Sequence, residues 1–137
     1  MFPLQTRILV VDDMNMIRAV IKGELRKLGF TDIVDVNDGE KACVVLQDEK
    51  KKNNPIQLVL SDWNMPKMTG IELLKWVRGH ADFKKLPFIF ITAEGEADQV
   101  KEALALSVSS YLRKPFSPAD LTEKLSQVWA NQAKIAS

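Results

Sequence analysis

This sequence has little of what usually staples a fold, ligates a metal or crosses a membrane. Among 137 residues there is one cysteine, one histidine and one tyrosine. A lone Cys43 excludes an internal disulfide and fits a reducing compartment, so the cytoplasm is the expected location. His80 has no metal-ligand partner at useful spacing and reads as a solvated loop residue. Neither sign of charge dominates: 19 Lys and Arg stand against 18 Asp and Glu. That balance gives no general attraction to nucleic acid or to an anionic membrane. The basic run Lys50-Lys51-Lys52 carries no interleaved aromatics and reads as a solvated helix end. No apolar run approaches the roughly 20 residues of a membrane span, and residues 1–7 lack the apolar segment of a secretory signal. A glycine-rich nucleotide loop is also missing, so phosphoryl chemistry would need an outside donor.

What the chain does have is alternation. Short apolar runs, Ile8 to Val11, Ile33 to Val36, Ile56 to Leu60, Phe88 to Ile91 and Tyr111 to Arg113, are of strand length. Continuous runs of this kind suit strands buried on both faces of a parallel sheet. Between them lie segments of helical spacing. Ile17, Val20, Ile21, Leu25 and Leu28 mark the first, with Gly29 as its stop. Ala42, Val45 and Leu46 mark the second, and Ile71, Leu74 and Val77 the third. Val100, Ala103, Leu104 and Leu106 mark the fourth, and Leu121, Leu125, Val128 and Trp129 the fifth, with Ser117 and Pro118 as N-cap and first residue. Five βα units in order predict an α/β fold, a (βα)5 doubly wound five-stranded parallel sheet. One domain over 1–137 is expected, with a core of about 7–129 and a short polar tail at 130–137.

Ligands of such sheets bind beyond the carboxyl ends of the strands. Asp12, Asp13, Asp62, Thr92 and Lys114 each fall at or just past a predicted strand end. Three crowded carboxylates repel one another, and a hard divalent cation relieves the repulsion. Mg²⁺ suits oxygen ligands of this sort. Taken singly, Asp12 and Asp13 read equally well as a helix cap, Lys114 as a solvated lysine and Thr92 as a turn residue. In one positional register they read as a phosphoryl site with a nucleophile, a cation, an ammonium and a hydroxyl donor.

Four motifs in order carry a resemblance. They are Val10-Val11-Asp12-Asp13, Ser61-Asp62-Trp63-Asn64-Met65-Pro66-Lys67-Met68-Thr69-Gly70, Ile91-Thr92-Ala93-Glu94 and Tyr111-Leu112-Arg113-Lys114-Pro115-Phe116. From about Arg7 to Trp129 the chain resembles the response-regulator receiver domain, of the single-domain chemotaxis type, with a flavodoxin-like fold. The resemblance implies that Asp62 accepts a phosphoryl group from a histidine kinase. It implies Mg²⁺ held by Asp13, Asp62 and the Asn64 carbonyl, with Asp12 acting mainly through water. Lys114 would pair with the acceptor or its phosphoryl group, Thr92 would bond that group, and Tyr111 would turn inward behind it. Asn64 and Glu94 would tune dephosphorylation, and the Lys114–Pro115 bond would be cis. The partner face would include Val100, Tyr111 and Lys124, read by a flagellar switch protein or a phosphatase, with the chain itself monomeric.

Other readings remain open: a receiver in a different phosphorelay, a phosphate sink, a scaffold that binds without phosphorylation, or a Mg²⁺-dependent phosphatase with Asp62 as nucleophile. Three departures from the receiver pattern bear on the partner. Ser107-Val108-Ser109-Ser110 replaces the usual small residues after the fourth helix, removing a favoured glycine stop. Ala97 stands where a lysine is expected, and the Glu49 to Pro55 connection is longer.

Overall fold

The five apolar runs hydrogen-bond side by side as β1 (Ile8–Val11), β2 (Ile33–Val36), β3 (Leu58–Ser61), β4 (Phe88–Thr92) and β5 (Ser110–Arg113). They alternate with α1 (Asn15–Lys27), α2 (Gly39–Lys51), α3 (Gly70–Gly79), α4 (Ala97–Ala105) and α5 (Pro118–Ala136). The computed structural model describes residues 1–93 and 97–136, with side chains for all of these except 97–98 and 133–136. Every pairing is parallel and the strand order is β2-β1-β3-β4-β5. Parallel neighbours require crossovers, and the five helices divide between the two faces of the sheet.

Side-chain alternation sorts the core into two layers. Leu9, Val11, Val59, Phe88 and Phe90 point to the face covered by Leu46 of α2, Leu74 of α3 and Ala103 of α4. Ile8, Val10, Leu58, Leu60, Ile89 and Ile91 point the other way, onto Ile21 and Leu25 of α1 and Leu121 and Leu125 of α5. β1, β3 and β4 are therefore buried throughout. β2 and β5 are not: all of β2 is partly exposed, and in β5 only Leu112 is buried. They are the sheet's edges, where a strand has one neighbour and less helix above it. Two expected core residues are likewise exposed, Val20 of α1 and Leu104 of α4. The segment expected as a polar tail, 130–137, is helical as far as Ala136. Burial pushes the Cys43 thiol up to about 11, in keeping with a small apolar role on α2.

Three helices stop in the same way. After α1, Gly29 takes φ 105°, its N–H donating to the Arg26 carbonyl (3.0 Å) and that of Phe30 to Leu25 (3.1 Å). After α2, Asn53 (φ 63°) donates to Lys50 and Asn54 to Glu49. After α4, Ser107 (φ 61°) donates to Leu104 and Val108 to Ala103. These are Schellman stops. The sequence led us to expect the α4 stop to be lost with its glycine; the chain keeps it by forcing a serine into the left-handed region. Arg78 of α3 braces the turn, its Nε donating to the Ser107 carbonyl at 3.0 Å. A Cβ costs about 1 kcal/mol in that conformation, against roughly 0.5–1 kcal/mol of extra chain entropy for glycine. Ser107→Gly is thus expected to raise the urea midpoint slightly, by about 0.3 M, at an unchanged slope. A lower midpoint would show that Ser107 carries no strain.

Candidate functional site

The switch in strand order falls between β1 and β3, where neighbouring chains leave the sheet toward opposite faces and open a crevice. Asp62 donates its N–H to the Val11 carbonyl at 2.8 Å, and Asp12 donates to Val36 at 3.3 Å. The two acids therefore emerge side by side. With the exposed Asp13 they bring carboxylate oxygens within 4.8 Å of one another. On the other side of β3, Thr92 ends β4 and accepts the Lys114 N–H on its carbonyl at 2.8 Å. That bond sets Lys114 at the same edge of the sheet. The Lys114–Pro115 peptide is cis, as the resemblance implied.

The buried Asp12, 1% exposed, is fully compensated. Its Oδ1 accepts the Met14 N–H at 2.9 Å and its Oδ2 accepts from Lys114 Nζ at 2.9 Å. Lys114 Nζ lies farther, 3.6 Å, from Asp62 Oδ1. The resemblance pairs Lys114 with Asp62; here the ammonium sits closest to the most deeply buried charge, which needs it most. Asp62 Oδ1 accepts the Trp63 N–H at 2.8 Å. Burial raises the Asp62 pKa above its ordinary value, and the Asp12 and Asp13 charges add to the rise; Lys114 and the Trp63 N–H work against it. A carboxylate so placed is costly to ionise until a cation joins it. Clustered hard oxygens of this type fit Mg²⁺, with Asp12, Asp13 and Asp62 supplying the charge and the loop carbonyl of Asn64 nearby in sequence.

The loop after β3 is held tightly. Gly70 donates its N–H to the Trp63 carbonyl at 2.8 Å, closing the loop on itself. A Cβ at Gly70 would lie 2.8 Å from the Phe90 ring and 2.9 Å from Trp63 Cα, and closer still to the Asp62 carbonyl. Thr69 and Glu72 form a capping box that starts α3 directly afterwards. Lys67, at φ 67°, makes the turn between. Trp63 packs on Phe90, ring centres 4.6 Å apart.

A cleft of about 680 Å³ opens beside the acids. Asp13, Asp62, Asn64, Thr92 and Lys114 line it together with Met14, Ile17, Val20 and Phe116. That apolar wall went unread in the sequence, and it explains why Val20 is not core. Arg18 also went unread. Its Nη1 donates to the Asp12 carbonyl at 2.6 Å and its Nε to Asp35 at 2.8 Å, tying the acid pair to β2. An arginine in the first turns of α1 was the only available signal. Of the expected partner face, Val100 and Tyr111 share one cavity wall, while Lys124 is half-buried on α5 and not part of that wall. Glu94 lies outside the described residues.

A phosphoacceptor-like acid cluster at the β1/β3 switch of a 2-1-3-4-5 sheet is a receiver arrangement. The chain belongs to the response regulator receiver domain family, which it matches over residues 8–126. Receiver domains bind Mg²⁺ through acidic residues, and the Asp12, Asp13 and Asp62 cluster is of that kind. Its relatives are of the chemotaxis type. It is 41% identical over 123 residues to chemotaxis protein CheY-3 of Vibrio cholerae, covering 90% of this chain and 91% of that one. Chemotaxis protein CheY1 of Helicobacter pylori is 40% identical over 122 residues, covering 89% and 95%. The structure of chemotaxis response regulator CheY4 of Vibrio cholerae superposes with a TM-score of 0.77 at 31% identity, over 90% of this chain and 98% of that one. No helix among the described residues is long and apolar enough to cross a membrane.

Proposed function

We propose that this receiver domain is a chemotaxis switch operated by phosphorylation of Asp62. One observation carries the reading: three carboxylates lie within 4.8 Å, with Lys114 Nζ reaching both Asp12 and Asp62. An Asp62 carboxylate oxygen attacks the phosphorus of a phosphohistidine on a kinase. The P–N bond breaks, the histidine departs with the electron pair and takes up a proton, and an acyl phosphate remains on Asp62. Mg²⁺, when bound, supplies neutralising charge to the carboxylates and to the incoming phosphoryl oxygens. Lys114 holds Asp12 in place and turns toward the added charge, which is roughly −1.5 to −2 at neutral pH. The Thr92 hydroxyl bonds a phosphoryl oxygen, and Tyr111, 36% exposed at rest, moves inward behind it.

The receiver acts on itself rather than on a stream of substrates, and a flagellar switch protein is the general kind of partner that a receiver similar to chemotaxis proteins implies. The apolar cleft wall of Met14, Ile17, Val20 and Phe116 supports a protein donor over a free phosphoester. Acetyl phosphate with Mg²⁺ tests this: a single transient adduct on Asp62 is expected. Sustained turnover of varied phosphoesters would favour a phosphatase instead.

Metal binding has its own readout. Trp63, 8% exposed and bonded through its N–H to Asp62, is the tryptophan nearest the acids, whereas Trp76 stacks near Phe83 and Trp129 near Phe2. Mg²⁺ is expected to change tryptophan emission, and Trp63→Phe to remove that change. At tenfold excess over its dissociation constant, Mg²⁺ should add about 1.4 kcal/mol of stability. An undiminished emission change in Trp63→Phe would overturn the assignment.

A further inference from the structure

Behind Thr92, α4 covers a small void between itself, β4 and β5. Residues 99, 100, 103 and 104 fall on one face of α4, and all four line the void with Trp63 and Tyr111. Gln99 is the one polar residue of that helix face. Its side-chain oxygen Oε1 is buried and accepts no hydrogen bond. A buried acceptor left unpaired is a penalty on the state that holds it.

Three side chains around the void carry a donor: the Thr92 hydroxyl, the Trp63 indole and the Tyr111 hydroxyl. Thr92 and Trp63 are 2% and 8% exposed, already packed against the void, and neither donates to Gln99. Tyr111 is different. It stands on the edge strand β5 and, at 36% exposed, is the one donor of the three that is not already buried. We infer that Gln99 Oε1 is the docking acceptor for the Tyr111 hydroxyl, and so a positioning residue of the switch. The inference rests on the reading that Tyr111 turns inward on phosphorylation, and it adds the group that receives the hydroxyl. The unpaired acceptor disfavours the resting state, and the bond favours the inward one. Both effects bias the ring in the same direction. The void is far too small at rest, about 10 Å³, to admit a phenol ring. Val100 and Leu104 must give way as the ring enters, so the movement reaches the outer face of α4.

Tyr111 is the only tyrosine of the chain, so biosynthetic 3-fluorotyrosine gives a single ¹⁹F reporter. With Mg²⁺ and beryllofluoride, a phosphoryl mimic, the wild type should show an inward resonance at the expense of the resting one. Gln99→Leu should lower the inward-to-outward ratio roughly tenfold, the effect of losing one buried hydrogen bond and relieving one unpaired acceptor. Its Trp63 emission response to Mg²⁺ alone, which does not bring the ring inward, should stay unchanged. Gln99→Met, closer in length, serves as the second variant if Gln99→Leu does not fold. An unaltered ¹⁹F ratio in a folded variant overturns the role of Gln99, as does a lost Trp63 response, which would place the defect at the acceptor site. A wild-type ¹⁹F signal that stays put while Trp63 responds defeats the inward-turn reading itself, and this inference with it.

Discussion

Asp62→Asn is expected to abolish labelling by acetyl phosphate, a loss on the order of 10³-fold or more, since the proposed nucleophile itself is removed. The fold should survive, and at neutral pH it should gain stability. The sign follows from the direction of the Asp62 shift. Burial and the neighbouring Asp12 and Asp13 raise its pKa in the folded chain above the ordinary 3.8. Between 3.8 and that raised value the folded protein holds a proton that the unfolded chain has released. Stability therefore falls as pH rises through this window, and above it the full penalty of ionisation remains. An amide carries no such penalty, and Lys114 keeps its 2.9 Å partner Asp12. Thermal melts should show Asp62→Asn above wild type at pH 7 and level with it in acid below the ordinary carboxyl value. Labelling of the variant at the wild-type level would remove Asp62 from the mechanism.

The same chemistry gives wild-type labelling an acid limb. On the proposed mechanism Asp62 attacks as a carboxylate, so the rate should fall as pH drops through its raised pKa. Mg²⁺ should move that limb to lower pH by favouring the charged form.

A second large effect comes from one methyl group. Gly70→Ala should destabilise the domain by about 3 kcal/mol, roughly 10 °C in melting temperature for a chain of this size. The added Cβ meets backbone, the Asp62 carbonyl and Trp63 Cα, neither of which can swing aside. Because those atoms belong to the acceptor strand and its loop, the Mg²⁺ response of Trp63 should weaken in whatever folded protein remains. Gly23→Ala is the matched control. It lies within α1 with no atom within 4 Å of its added Cβ, so there the same change should stabilise, by about 0.5–1 kcal/mol. A Gly70→Ala melt as high as that of Gly23→Ala would refute the steric account of the loop.

The site was legible in the sequence because its residues occupy a repeated position. Asp12, Asp62, Thr92 and Lys114 each follow an apolar run, and a parallel sheet brings such positions to one edge whatever the strand order. The fold class was legible for a similar reason, since five runs and five periodic segments leave few other arrangements. Edge strands were not. Ile33 to Val36 reads as a buried run beside Ile8 to Val11 only if Asp35 is passed over, and the order β2-β1-β3-β4-β5 shows that it is peripheral. Contacts to backbone were also hidden. Arg18 on the Asp12 carbonyl and Arg78 on the carbonyls of Leu86 and Ser107 need no complementary side chain, so no pairing pattern betrays them. Ser107 misled in another way. A serine carries no sign of left-handed backbone, yet the bonds it completes at the end of α4 outweigh the strain.

The two core layers have a further consequence, for engineering and for divergence. Trp63, Phe90, Ala103 and Val108 belong to the layer under α2, α3 and α4, whereas Phe30, Leu121 and Leu125 belong to the layer under α1 and α5. The sheet stands between them as an insulating wall. Repacking around Phe30 and Leu125 can raise or lower the melting point while the tuning of Tyr111 is left alone. Drift at Phe90, Ala103 or Val108 has no such shelter, since a change there reshapes the void that the proposed switch would fill. The surroundings of Tyr111 and the packing around Phe30 and Leu125 are thus free to be adjusted at different rates.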